Sequence, residues 1–416
     1  MISFIGDLAE QLLVKYQDFR NLTVIFPNRR AGLFLQKELA KRIEKPIWLP
    51  QISSLEDFIL ARSQFKKIEN FESVLWLHEV YLNHQEKGET LDKFFFWGEM
   101  IIKDFEEIDQ YGVDANHLFT SIKSQKELDQ EFYFFSEEEK KIISSFWATF
   151  LPKSSKNQDL FLETWKILKS LYTEYKSFLI SKGKAYNGMI YANFLEHLLA
   201  DNYPDDGKFL FVGFNALTAV EERILKHYIE HKGADVLWDT DVYYLHDNSQ
   251  EAGYFHRIYQ KDNILGNTFK SPIPDHLAEP KSITATGVSL EVGQAKALGE
   301  KLSILMSKPH FKAENIVIVL PNEYMLFPVL HALPKELKDI NITMGFPLKD
   351  APIYSLLESV LMLQNMRKST INGDIFYYRP VISILEHPLI YTLDMYNFKE
   401  FTDKIRKYNL VSSSYI

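Results

Sequence analysis

The sequence predicts an α/β protein carrying a large helical insertion and a second, partial α/β domain. Three observations lead there. An apolar strand, Thr23-Val24-Ile25-Phe26-Pro27, runs straight into the helical pattern that starts at Asn28. Strand–helix alternation returns at residues 209–238, after a long helical stretch rich in aromatics. It resumes a third time from residue 282. Alternation of this kind is the signature of parallel α/β units.

Taken in order, Leu8, Leu12 and Phe19 mark a short opening helix. The strand at Thr23 follows, then a helix through Leu39. Ser53-Ser54-Leu55-Glu56-Asp57 has the form of a helix N-cap ahead of an apolar run. From about residue 65 to 200 the pattern is helical. Phe161, Trp165, Leu168, Tyr172, Tyr175 and Leu179 recur at steps of four and three along one helix face. With Phe94-Phe95-Phe96-Trp97 and Phe146-Trp147 they read as an insertion with its own small core, broken by a loop at 153–158. A strand at 209–214, a helix from Ala219 capped by Thr218, and a strand at 234–238 restore the α/β pattern. A loop rich in Pro, Asn, Asp and Gly fills 248–281. Beyond it, strands are expected at 282–286, 315–320 and 341–344, with helices at 291–306, 324–333 and 354–366, and a helical tail from Asp374. The expected division is 1–64 with 201–281 as a first, split α/β domain and 65–200 as the helical insertion. Residues 282–370 form the first part of a second α/β domain, and 371–416 the start of a further helical insertion.

The 416 residues carry 47 Lys and Arg against 56 Asp and Glu, a net charge of −9. That excludes a surface coated all over by nucleic acid but leaves room for a local basic groove. The absence of cysteine excludes disulfides, zinc–thiolate sites and iron–sulfur clusters within this chain. MISFIGDLAEQLL lacks the basic start and long apolar run of a signal peptide. No apolar run is long enough to span a bilayer. A cytoplasmic protein without membrane contact is the expectation.

The sharpest positive signal is the turn Asn28-Arg29-Arg30. A helix start offers free backbone N–H groups and the positive end of the dipole, and two guanidinium groups add to that attraction for phosphate. These three residues are the candidate DNA contacts. Other patterns are weaker. His227-Tyr228-Ile229-Glu230-His231 matches H-x-x-E-H, but Gly233 ends the helix and no third zinc ligand is evident. Pro274-Asp275 with Glu279-Pro280-Lys281 imitates a nuclease motif, yet it lies in a loop with a proline between the acid and the lysine. Asp239 and Asp241 follow an apolar strand, at the end where open α/β sheets bind ligands. They define the alternative function: a metal-dependent phosphotransfer or nucleotide-sugar enzyme. No G-x-x-x-x-G-K-[ST] loop occurs, and the residues before Thr23 are too few for a strand, a phosphate loop and a helix. No catalytic residue, metal ligand or cofactor is assigned.

The phrases VIFPNRRAGLFLQKEL, FVGFNALTAVEERIL, GQAK and NITMGFPLKDAPIYSLLESVL occur in this order across nearly the whole chain. Together they resemble the helicase-like N-terminal part of AddB, the nuclease subunit of AddAB helicase–nucleases, in its Bacteroidetes-type PD-(D/E)XK nuclease version. The resemblance implies a UvrD-like (RecA-like) fold. In such helicases the strand and turn matching Phe26 to Gln36 touch single-stranded DNA, which gives that role to Asn28, Arg29 and Arg30. The segment matching Phe209 to Asn215 holds an Asp-Glu pair for magnesium and ATP, but here reads Val212-Gly213-Phe214-Asn215. The implication is an inactivated motor: a DNA-binding scaffold acting on single-stranded DNA or duplex ends in double-strand-break repair, beside an AddA-like helicase–nuclease subunit. These residues are expected to have neither ATPase nor nuclease activity, the PD-(D/E)XK exonuclease of the full-length protein lying beyond Ile416.

Overall fold

The computed structural model describes residues 3–16, 18–84, 90–120, 155–200, 203, 207–269, 273–371, 373–408 and 412–413. It is a mixed α/β protein that divides into two compact units, Met1–Lys281 and Ser282–Ile416.

In the first unit, α1 (Phe4–Lys15) precedes β1 (Leu22–Phe26), which leads into α2 (Arg29–Arg42). Next come β2 (Gln51–Ser54), α3 (Leu55–Leu60) and the short β3 (Lys66–Lys67). The helices α4 (Asn70–Leu82), α5 (Leu91–Tyr111), α6 (Ala115–Thr120) and α7 (Ser155–Ser181) follow. Then β4 (Lys184–Ala185) leads to α8 (Asn187–Leu199), β5 (Lys208–Val212), α9 (Ala219–Lys232) and β6 (Asp235–Leu237). The unit closes with α10 (Val242–His246) and α11 (Tyr254–Tyr259), flanked by two 3-10 turns.

β2, β1, β5 and β6 lie side by side in that order, all parallel. Val24 pairs with both Ile52 and Leu210, and Phe211 with Val236. Side chains alternate across the sheet, as the period of two requires. Leu22, Val24, Phe26, Leu210 and Val212 face α1 and α2, while Ile25, Phe209 and Phe211 face the other layer. That is why both strands read as unbroken apolar runs. Phe58, Phe209, Phe211 and Tyr228 meet edge to face on this second layer, with centroids 4.9–6.0 Å apart.

The insertion does not close a core of its own. Leu77, Phe105, Tyr175 and Phe194 belong to the same buried cluster as Ile25, Phe211 and Tyr228. α5 packs on α9, and α8 on α3 and α9, and these two helices lie against β1 and β5. Close approach is set by Gly188, where a Cβ would stand 2.4 Å from the Glu106 carbonyl oxygen on α5. Leu168, Tyr172, Tyr175 and Leu179 do share the inward face of α7. The side chains of Phe161 and Trp165, the Phe146-Trp147 pair and residues 153–154 lie outside the described set. Residues 155–158, expected as loop, form the first turn of α7, since Lys and Gln favour helix despite their polarity.

At the heart of the insertion the buried Asp109 carboxylate accepts hydrogen bonds from the Tyr172 and Tyr186 hydroxyls, each 2.5 Å, and from Lys176 Nζ at 2.7 Å. Burial, then the adjacent carboxylate, push both phenols far above their ordinary range, so they remain donors. Three helices are thereby tied to one anion.

In the second unit, α12 (Glu291–Met306) packs on α13 (Leu326–Ala332), and α14 (Pro352–Asn365) follows. At Gly299 a Cβ would come 2.0 Å from the Ala332 carbonyl oxygen, so α12 and α13 touch backbone to backbone. Beyond α14 stand β7 (Lys368–Thr370), β8 (Gly373–Tyr377), α15 (Tyr378–Leu385), α16 (Pro388–Tyr391), α17 (Met395–Lys407) and β9 (Ser412–Ser413). Three expectations are corrected here. Residues 282–286, 315–320 and 341–344 are not strands: among the described residues none of them finds a pairing partner, and a strand exists only by its ladder. The tail does not begin as helix, because β7 and β8 form an antiparallel hairpin with Thr370 opposite Gly373. The Asn-Gly pair at 372–373 is the overlooked hairpin signal, and Gly373 has a φ of +115°. The segment 248–281 is not all loop, since it contains α11 and two 3-10 turns.

Asp109→Ala is expected to lower the stability of the first unit by about 3–5 kcal/mol, because it leaves Lys176 and two buried phenols without their acceptor. Urea denaturation followed by far-UV circular dichroism checks this; a loss no larger than that of an exposed Asp→Ala change would show the hub to be dispensable.

Candidate nucleic-acid interface

β1 must stop where Pro27 removes a ladder donor, and α2 begins two residues later. Asn28 is the N-cap: its backbone is extended (φ −144°, ψ 158°) and its Oδ1 accepts from the Ala31 N–H at 3.1 Å. Gly32 lets this first turn lie against β2, since a Cβ there would meet Ile52 Cγ2 at 2.6 Å.

Arg29 reaches across to the first turn of α3. Its Nε donates to Asp57 Oδ2 at 2.6 Å and an Nη donates to the other oxygen, a bidentate pair. Asp57 also accepts from the Ser54 hydroxyl at 2.6 Å, and Ser54 Oγ caps α3 by accepting from the Asp57 N–H. The Arg29 guanidinium, then the Ser54 hydroxyl, hold the Asp57 carboxyl below its usual range. Arg29 is nevertheless 76% exposed. Arg30 differs: it is exposed, and among the described residues it has no hydrogen bond or ion pair. The structure thus brings the three sequence-predicted residues together, gives Asn28 a capping role, pairs Arg29 internally and leaves Arg30 open.

β5 is the neighbour of β1, and its carboxyl end opens on the same edge of the sheet. There Gly213 turns the chain at φ +69°, and Phe214 is buried. The Phe214 carbonyl accepts from His256 Nε2 at 3.1 Å. His256 was not singled out from sequence, being one histidine in a loop-like stretch. It is buried against Trp238, and that burial pushes its pKa down.

The rival carboxylates are differently placed. Asp241 is buried and caps α10: Oδ1 accepts from the Tyr243 N–H at 2.9 Å, and Oδ2 from the His276 and Leu277 N–H groups at 2.8 and 3.0 Å. Three backbone donors take three of the about four lone-pair sites a metal would compete for. Burial raises the pKa of Asp239, the His256 ring opposes that rise, and Asp241 adds to it. Lys281 Nζ donates to the carbonyls of His276, Leu277 and Glu279, and Glu279 pairs with His276 at 2.9 Å. The nuclease lookalike is therefore a self-contained turn. The rings of His227 and His231 lie 4.5 Å apart, and among the described residues no group of three or more His, Asp or Glu side chains is arranged to hold a metal ion.

The chain matches no protein-family model and no curated protein.

Two outcomes follow from this geometry. Asp241→Ala is expected to cost about 1–3 kcal/mol by leaving backbone donors unsatisfied, with the same loss in thermal denaturation whether or not magnesium is present; a magnesium-dependent loss would restore the metal reading. The Asp57 carboxyl has a folded pKa below its unfolded one. Its contribution is present above the ordinary carboxylate range and disappears as pH falls through the depressed value. Arg29→Ala should therefore flatten the acid limb of the stability–pH curve, and an unchanged limb would mean that the pair contributes nothing.

Proposed function

We propose that this chain is a non-motor, helicase-like DNA-binding scaffold with a UvrD-like fold, part of an AddAB-type helicase–nuclease that processes double-strand breaks for recombinational repair. Its partners on this reading are single-stranded DNA or duplex ends and an AddA-like subunit in the cytoplasm. The nuclease belongs to a PD-(D/E)XK domain outside these residues. The observation that carries the proposal is the junction of β1 and α2. A buried parallel strand there delivers a capped helix start with an open arginine, Arg30, to the carboxyl edge of the sheet. Two further observations support it. The strand that resembles the magnesium-and-ATP strand, β5, is the immediate neighbour of β1, and the turn after it carries no acid. Among the described residues no helix is long and apolar enough to cross a membrane.

The reading separates Arg30 from Arg29. Arg30 is free to meet a phosphate, whereas Arg29 has to leave Asp57 first. Binding of forked or single-stranded DNA, measured at several low salt concentrations, is expected to weaken uniformly across sequences in Arg30→Ala. Its log–log salt slope should flatten by about one unit. Equal affinities and slopes for wild type, Arg30→Ala and the Arg29→Ala/Arg30→Ala double variant would sink the assignment. In the same preparation, calorimetry with ATP and magnesium is expected to show no tight binding, and micromolar binding with turnover would remove the inactivated-motor reading.

A further inference from the structure

α2 has two unlike faces. Leu35 and Leu39 are fully buried in the cluster that holds Val24 and Phe26, and Ala31 packs beside them at the same step of four. Phe34, on the other side, is 54% exposed, and Leu33 next to it 64%. Among the described residues the Phe34 ring has no ring or cation–π contact. A single exposed apolar side chain is ordinary, so what distinguishes Phe34 is its neighbours. Arg30, Phe34, Lys37 and Lys41, all exposed, follow one another at steps of four, three and four. With about 3.6 residues per turn they fall within about 60° of one another, away from Leu35 and Leu39, and run about 16 Å along the helix. α2 holds five Lys and Arg against one acid, Glu38, although the chain has a net charge of −9. Glu38 pairs with Lys41 and Arg42, and Asp57 with Arg29. Arg30, which has no ion pair among the described residues, lies one helical turn from Phe34.

A ring in line with cations matches the chemistry of a single nucleic-acid strand. Bases stack on an aromatic face whatever their identity, while phosphates meet the cations. A duplex keeps its base faces inside its own stack except at its ends, so it can use Arg30 but not Phe34. An acidic polypeptide would likewise use the cations and leave the ring in water. An apolar protein surface would cover the ring at the cost of desolvating the charges around it. Of these, the unpaired strand alone engages both.

We propose, resting on the DNA-binding reading above, that the solvent face of α2 selects single-stranded over duplex DNA. Phe34 is the platform on which a base stacks, and Arg30 meets an adjoining phosphate. Binding by the whole chain tests this with three probes: an oligo-dT strand, an abasic strand of the same length and a blunt duplex. The wild type is expected to prefer oligo-dT over the other two by about tenfold, the size of one stacked base. Phe34→Leu, a change an exposed helix position tolerates, should erase that preference and leave the salt slope as it was. Phe34→Trp should preserve it, and Arg30→Ala should weaken all three probes together. Unchanged circular dichroism and melting verify that the variants are folded. A full preference for oligo-dT in Phe34→Leu, or no preference in the wild type, overturns the proposal. If Arg30→Ala still weakens binding in that case, the DNA-binding reading itself stands. No binding of any probe by the wild type overturns both. Tighter binding of a poly-Asp peptide than of oligo-dT would make an acidic polypeptide the occupant and overturn the proposal as well.

Discussion

Everything in the first unit depends on covering β1. Five consecutive buried residues, Leu22 to Phe26, must lose water on two faces and pair on two edges. β2 and β5 take the edges, α1 and α2 one face, and α3 and α9, backed by the helical insertion, the other. Fully burying side chains such as Ile25 and Phe211 contributes about 1.5–3 kcal/mol each, and the insertion's helices complete the cluster in which they are buried. The insertion is therefore part of the sheet's core energetics, and the Asp109 hub that joins its helices supports the sheet at one remove. The shared cluster also explains why so many phenylalanines and tyrosines stand between residues 58 and 228.

The elements legible in the sequence were those whose signal is local. Asn28, Ser54 and Thr218 each announced a helix start, and each accepts the backbone hydrogen bond its position predicts. The apolar runs around Thr23 and Phe209 could be read as buried parallel strands because both faces are apolar. What could not be read was pairing. Residues 316–320 have a stronger strand composition than β6, yet β6 has a partner in β5 and residues 316–320 have none. Strand identity is a property of two segments, so one sequence window cannot decide it. The hairpin at β7 and β8 was missed for the opposite reason: its local Asn-Gly signal was outweighed by the helical pattern that follows.

The site shows the same limit. Spacing placed Asn28, Arg29 and Arg30 at a helix start, but nothing in the window around residue 29 reports that Asp57, 28 residues away, takes the Arg29 guanidinium. His256 was invisible because its role, holding the Phe214 carbonyl, depends on a contact 42 residues back. Motif lookalikes fail on a related ground. Glu279 and Lys281 have the right chemistry, but Lys281 spends its donors on the carbonyls of its own turn.

The use of polar groups along the carboxyl edge bears on what such an edge can do. A magnesium or phosphotransfer centre needs carboxylate oxygens with open coordination positions, held near other acids. Here the Asp57 oxygens are taken by Arg29 and Ser54, and those of Asp241 by three backbone N–H groups. The turn after β5 carries glycine, phenylalanine and asparagine. These acids stand at helix starts and hold turns, which fixes the edge and takes up most of their acceptor sites. Binding a phosphate makes a smaller demand: a helix start and a cation that nothing else claims. Asn28 fixes the helix start, and Arg29 neutralises Asp57. Arg30 is exposed and, among the described residues, without an ion pair, a setting in which an anionic backbone can approach it. Of the two arginines at this helix start, the one that Asp57 does not hold is therefore the one whose charge a phosphate can meet without breaking an existing pair.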